Sequence, residues 1–137
     1  AVFAPKADRL DPEPWSHHPL FPQTREAFAV PTQVNYVAKG GRFYHPGDAV
    51  TGADAVVRRV ISLDYLWNEV RVKGGAYGGG CSLNPVTGTF AFSSYRDPNL
   101  QQTLDIYDQT PSYLDGLDLA QAELDKAIIA SIGTSIR

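Results

Sequence analysis

Arg71-Val72-Lys73-Gly74-Gly75-Ala76-Tyr77-Gly78-Gly79-Gly80 lies between two different periodicities, and the change across it decides the fold class. Upstream, Val56, Val57, Val60, Ile61, Leu63, Tyr65, Leu66, Trp67 and Val70 recur at helical spacing. They follow Thr51-Gly52-Ala53-Asp54, which has the form of a capping box with aspartate in its third position. The spacing predicts one long helix with a broad apolar face, ended near Gly74-Gly75. Downstream, Tyr77 to Leu83 and Thr89 to Tyr95 flank Asn84-Pro85-Val86-Thr87-Gly88, and Phe90, Phe92 and Ser94 alternate with Ala91 and Ser93. Period two on either side of a turn-rich linker predicts an antiparallel hairpin.

Working outward, Thr32 to Val37 alternates and reaches a break at Gly40-Gly41, so a strand is expected there. After the hairpin, Asp97 offers an N-cap with Pro98 at the first helical position, and Leu100, Thr103, Leu104 and Tyr107 share one face of a short helix. That helix is expected to fray before Pro111 and Gly116, and a last one to run from just after Asp118 to about Ile132. Strand, helix, two strands and two helices read as α+β: a partial antiparallel sheet with helices packed on one face. Residues 1–31 differ. Their six prolines, Pro5, Pro12, Pro14, Pro19, Pro22 and Pro31, withhold backbone donors and predict an extended arm. Its Val2, Phe3, Trp15, Leu20, Phe21 and Phe28 are too many apolar residues for a free linker, so the arm is expected to pack against a surface. The expected division is an arm over 1–31 and a partial domain over 32–137.

The chain has 137 residues, 43% hydrophobic, enough for one domain or less. A net charge of -3 supplies no basic stripe for neutralising phosphates, which argues against nucleic acid. No apolar run reaches the length of a membrane span, and no basic segment leads into an apolar core at the N-terminus. One cysteine, Cys81, permits no internal disulfide. The absence of methionine leads to the expectation of a processed or partial product.

Three kinds of chemistry can be weighed from residue types. Zinc hydrolysis on a helix needs paired imidazoles with a nearby carboxylate, whereas His17 and His18 are adjacent and His45 stands alone before Pro46, so no metal is assigned to this chain. Cys81 falls mid-strand with no histidine close in sequence, which suits a buried thiol better than a nucleophile. The glycine cluster resembles a phosphate loop in composition only. Phosphate loops lead into a helix N-terminus, whereas these glycines follow a helix at its negative end. They permit close backbone approach by an adjoining strand or a bound peptide, or they simply form a helix C-cap running into a bulged strand. Arg71 and Tyr77, six residues apart, could project toward one place, a guanidinium to grip a carbonyl and a phenol to donate to an oxyanion. Arg96-Asp97 reads more simply as an aspartate cap with a neighbouring cation.

Read together, Val30-Pro31-Thr32-Gln33-Val34-Asn35-Tyr36-Val37, Leu66-Trp67-Asn68-Glu69-Val70-Arg71-Val72-Lys73-Gly74-Gly75-Ala76-Tyr77-Gly78-Gly79, Ser94-Tyr95-Arg96-Asp97-Pro98-Asn99-Leu100 and Lys126-Ala127-Ile128-Ile129 resemble, in order, the presequence protease branch of the pitrilysin and insulinase superfamily. The resemblance implies a chamber enzyme of two hinged halves in mitochondria or plastids, degrading cleaved targeting presequences and other unfolded peptides. It implies an inverted zinc motif in an N-terminal half, so zinc is expected there and not here, and this chain alone should be inactive. It gives Arg71 the role of holding a substrate carbonyl and Tyr77 that of stabilising the oxyanion; Gly78 and Gly79 are expected in substrate binding through the close backbone approach that glycines permit. It also implies about half of a family domain, an open sheet that the rest of the peptidase or another protein must cover. The alternative is a non-catalytic accessory subunit derived from the family, and a peptide-binding module that uses its strand edge is a third reading.

Overall fold

The computed structural model describes residues 25–45 and 48–135. The chain divides into residues 1–31 and 32–137. Of the first unit only 25–31 is described; it has no regular structure, and Phe28 and Val30 are exposed. The expected packing of Val2, Phe3, Trp15, Leu20 and Phe21 concerns residues outside those described.

The second unit is α+β. Strands β1 (Asn35–Arg42), β2 (Gly78–Asn84) and β3 (Thr89–Asp97) form an antiparallel sheet in the order β1-β3-β2. Helix α1 (Gly52–Val60) continues without a break into a π-helical segment (Ile61–Lys73), and α2 (Gln101–Asp115) and α3 (Gln121–Ser135) follow the sheet. Directly paired residues point to one side, so Gly79, Cys81, Phe92, Ser94 and Val37 share a face. The helices cover that face. Val70 lies where a side chain on Gly79 would go, Ser62 Oγ accepts the Cys81 N–H at 3.1 Å, and Tyr107 stacks on Phe92 with ring centroids 5.0 Å apart. Val37, Ile61, Tyr65, Leu66, Val70, Ala76, Cys81, Ile106 and Tyr107 make the buried core. The opposite face carries Tyr36, Ala38, Gly40, Gly78, Gly80, Ala91, Ser93 and Tyr95, and among the described residues the π-helical segment borders it along β2 through Ser62, Trp67 and Arg71.

Several boundaries differ from the sequence expectation, and β1 begins at Asn35 rather than Thr32. β1 runs through Gly40-Gly41 instead of stopping there, because Gly40 faces Ala91 so closely that a Cβ would stand 2.6 Å from the Phe90 carbonyl oxygen. The absent side chain at Gly40 admits the ladder, while at Gly41 a Cβ would meet nothing. The long helix changes to i→i+5 hydrogen bonding at Ile61, and its buried residues Ile61, Tyr65, Leu66 and Val70 recur every four to five positions, the wider turn of a π-helix. Trp67 and Leu63, counted into the apolar face by the α-helical period, are therefore exposed. α2 begins at Gln101, and Asp97 takes another role described below. It also continues past Pro111, whose place in a helix interior costs about 3 kcal/mol. Beyond the proline, Tyr113 stacks on Tyr65 at 4.5 Å and Leu114 packs on the core, and this burial carries the helix on to Gly116.

The helix start at Thr51 matches the sequence. The Asp54 carboxylate accepts the Thr51 N–H at 2.6 Å and the Thr51 hydroxyl at 2.9 Å, returning the aspartate half of a capping box. α3 packs on α1, and between them lies an apolar cleft of about 630 Å³ lined by Val56, Val57, Leu124, Ile128 and Ile132. With the β1 and β3 part of that sheet face, this leaves the described residues open on two sides.

Candidate functional site

The site forms where the π-helical segment ends and β2 begins. Gly74 closes the helix, its N–H bonded to the Glu69 carbonyl at 3.0 Å, and a Cβ on it would stand 2.5 Å from the Val70 oxygen. Gly75 then adopts φ +79°, a conformation that favours glycine, and turns the chain into the sheet. Asn99 Nδ2 donates to the Gly74 carbonyl at 2.6 Å and so fastens this turn to the start of α2.

Beyond the turn, Tyr77 and the first residues of β2 border a cleft of about 400 Å³, lined by Trp67, Arg71, Tyr77, Gly78, Gly79, Gly80, Ser93 and Tyr95. Arg71, Tyr77, Gly78 and Gly79, the four residues singled out from sequence, lie on this one wall. Arg71 comes from the last turn of the π segment, and its guanidinium carbon is 3.9 Å from the centroid of the Trp67 ring. A cation–π contact engages the charge of a guanidinium rather than its N–H donors, which remain able to bind a carbonyl. Tyr77 is 61% exposed, its ring centroid 5.4 Å from that of Tyr95 and 5.6 Å from the Arg96 guanidinium carbon. An exposed phenol anchored through its ring can present its hydroxyl to a ligand in the cleft.

The glycines have separate local reasons. A Cβ on Gly78 would stand 2.5 Å from the Tyr95 ring, so glycine there is what allows Tyr95 to lie across β2 toward Tyr77. At Gly79 a Cβ would meet Val70 at 3.1 Å, which lets the sheet close onto the helix. Both glycines border the cleft, but their missing side chains are answered by protein atoms.

Behind the cleft, β3 ends in a bulge. Asn35 pairs with Asp97 and Tyr36 with Tyr95, leaving Arg96 as the extra residue at φ +49°. Its carbonyl accepts the Tyr77 N–H at 3.3 Å. Asp97, fully buried, accepts the Ser94 hydroxyl at 2.6 Å, the Thr103 hydroxyl at 2.8 Å and the Asn99 N–H at 2.9 Å. It therefore holds the strand end to the first turn of α2 from below and does not act as the helix N-cap.

Trp67, Ser93 and Tyr95 were not singled out from sequence as site residues, and Arg96 was read there only as the cation beside an aspartate cap. Two signals pointed to Trp67 and Tyr95: Trp67 and Arg71 are four apart, and closing the hairpin at Asn84 and Thr89 places Gly78 opposite Tyr95. Cys81 stays out of the cleft; burial pushes its thiol up, and its sulfur lies 3.3 Å from Ser62 Oγ and 3.4 Å from the Arg58 carbonyl. Among the described residues no three of His, Cys, Asp and Glu come together to hold a metal ion, and His17 and His18 fall outside those residues. His45 is exposed, with Asp48 at 3.6 Å. The described residues do not fit a zinc site. No helix among them is long and apolar enough to cross a membrane.

Residues 25–136 match the family model described as the PreP C-terminal domain. The chain belongs to this presequence protease family. It is 52% identical over 112 residues to presequence protease 1, chloroplastic/mitochondrial, of Arabidopsis thaliana, a match covering 82% of this chain and 10% of that protein. It is 41% identical over 107 residues to protein HypA of Clostridium perfringens, covering 78% of this chain and 11% of that one. To the mitochondrial presequence protease of Yarrowia lipolytica it is 37% identical over 113 residues, 80% of this chain and 11% of the other. The chain thus spans about a tenth of the length of the curated relatives it matches. What it shares with presequence proteases is a part of their C-terminal region, and the wall of Trp67, Arg71, Tyr77 and Tyr95 lies within that part.

Proposed function

We propose that this chain supplies one wall of the active site of a presequence-protease-type metallopeptidase, with Arg71 holding a backbone carbonyl of an unfolded peptide and Tyr77 donating a hydrogen bond to the oxyanion formed on hydrolysis. The observation that carries the reading is the convergence of Arg71 and Tyr77 on one cleft beside a glycine-lined strand edge. Both side chains are polar groups on a surface that is otherwise aromatic and glycine but for Ser93, the composition of a site that orients a peptide backbone. The arginine supplies positive charge and paired donors to the peptide, and the tyrosine acts where charge develops. Hydrolytic chemistry, with its zinc, belongs to another part of the polypeptide or to a partner that closes on this wall. The relatives' names support an organellar setting, mitochondrial or chloroplastic, and presequences as substrates.

The open sheet face and the apolar α1–α3 cleft support a partner that covers them, the remainder of the peptidase in this reading. The same openness supports the second reading, an accessory subunit in which Arg71 and Tyr77 are inherited but idle. Two measurements separate them. Intact-mass spectrometry of the native assembly should find the inverted zinc motif in the same polypeptide or in a stoichiometric partner; its absence overturns the peptidase reading. In that assembly, Tyr77→Phe should lower peptide turnover by about 10²-fold, the usual effect of removing an oxyanion donor.

A further inference from the structure

We infer that Arg96 is a positioning residue for Tyr77, an inference that rests on the active-site reading of Tyr77 given above. Two independent contacts carry it. The Arg96 guanidinium stands 5.6 Å from the Tyr77 ring centroid, and the Arg96 carbonyl accepts the Tyr77 backbone N–H. Arg96 therefore grips both the ring and the main chain of the more exposed of the two phenols in the cleft. It does so from φ +49°, in the left-handed region that a long side chain occupies at a cost and glycine occupies freely. At a bulge whose only task was to end strand pairing, glycine would serve better. The arginine side chain at this strained position is explained by what it touches.

Tyr77 needs such a hold. With 61% of its surface exposed, little packing restricts its ring, and its other aromatic neighbour, Tyr95, is itself 46% exposed. A phenol that must meet a developing oxyanion loses effectiveness rapidly with small displacements. The adjacent buried Asp97, fixed by three hydrogen bonds, anchors the bulge, so the Arg96 backbone has a rigid base.

The test uses the full-length polypeptide or native assembly carrying this chain and three variants, Arg96→Gly, Arg96→Ala and Arg96→Lys, assayed on an unstructured peptide. Glycine relieves the backbone strain and alanine keeps it, so the two should differ in stability, with Arg96→Gly level with or above the wild type. Both should nevertheless lower kcat by about fivefold, the size of an exposed cation–π contact, with KM held. Arg96→Lys should recover most of the loss. In a Tyr77→Phe background, where no hydroxyl remains to be positioned, Arg96→Gly should cause no further fall. If Arg96→Gly retains full kcat while Tyr77→Phe loses it, the positioning role is wrong and the active-site reading stands. If Tyr77→Phe itself changes nothing, the active-site reading fails, and this inference with it.

Discussion

Replacing Asp97 with alanine should release the joint beneath the cleft, and the cost can be worked from its three bonds. Asp97 is fully buried and accepts from the Ser94 hydroxyl, the Thr103 hydroxyl and the Asn99 N–H. In Asp97→Ala the Thr103 hydroxyl keeps an alternative acceptor, the Asn99 carbonyl at 3.2 Å. Ser94, itself buried, and the Asn99 N–H are left without these bonds. Two orphaned donors at about 1–3 kcal/mol each give a loss on the order of 2–6 kcal/mol. Asp97→Asn should cost less, about 1–2 kcal/mol, because the amide oxygen can still serve Asn99 while the amide nitrogen donates to hydroxyls that rotate to accept. Amide hydrogen exchange over residues 94–104 in the full-length polypeptide reads this local stability directly. Exchange should accelerate at least about thirtyfold in Asp97→Ala and clearly less in Asp97→Asn. Less than threefold acceleration in the alanine variant, or equal behaviour of the two, would show that this carboxylate does not hold the joint.

Other consequences concern pH and thiol chemistry. The Asp54 carboxyl is held below its ordinary value, first by the Thr51 N–H and also by the Thr51 hydroxyl. A carboxyl depressed in the folded state stabilises above its unfolded pKa of about 3.9, and that stabilisation is lost as pH falls through the folded value. Asp54→Asn should therefore weaken protection of the first α1 amides at pH 7, with the penalty shrinking as pH falls below about 3.9; a penalty independent of pH would point to packing instead. Cys81, buried with its thiol pushed up, should resist alkylation by iodoacetamide at pH 7.5 in the folded protein and react at the rate of a free thiol after denaturation. Rapid modification of the native protein would contradict the burial.

Much of this architecture could be read before any coordinates, for identifiable reasons. The hairpin was legible because Phe90 and Phe92 alternate with Ala91 and Ser93 around a turn-forming linker. The start of α1 was legible because Thr51 and Asp54 stand three apart. The π-helical register from Ile61 was not, since hydrophobic positions four or five apart also satisfy an α-helical pattern in a strongly apolar run, and only the exposure of Leu63 and Trp67 separates the two. The continuation of β1 through Gly40-Gly41 and of α2 through Pro111 was hidden because each local breaker is overruled by a distant partner, Ala91 in one case and Tyr65 in the other. At the site, Arg71 and Tyr77 could be picked from residue type and spacing, whereas Tyr95 and Arg96 depend on strand register and on a bulge that no local signal marks.

The central claim is that Tyr77 acts on the reaction and not merely on the fold. Single-turnover hydrolysis of an unstructured peptide by the complete assembly carrying Tyr77→Phe isolates that step. The phenyl ring preserves the contacts with Tyr95 and Arg96 and removes only the hydroxyl. The account predicts a fall of about 10²-fold in the rate of bond cleavage with peptide affinity little changed. An unchanged cleavage rate would contradict it.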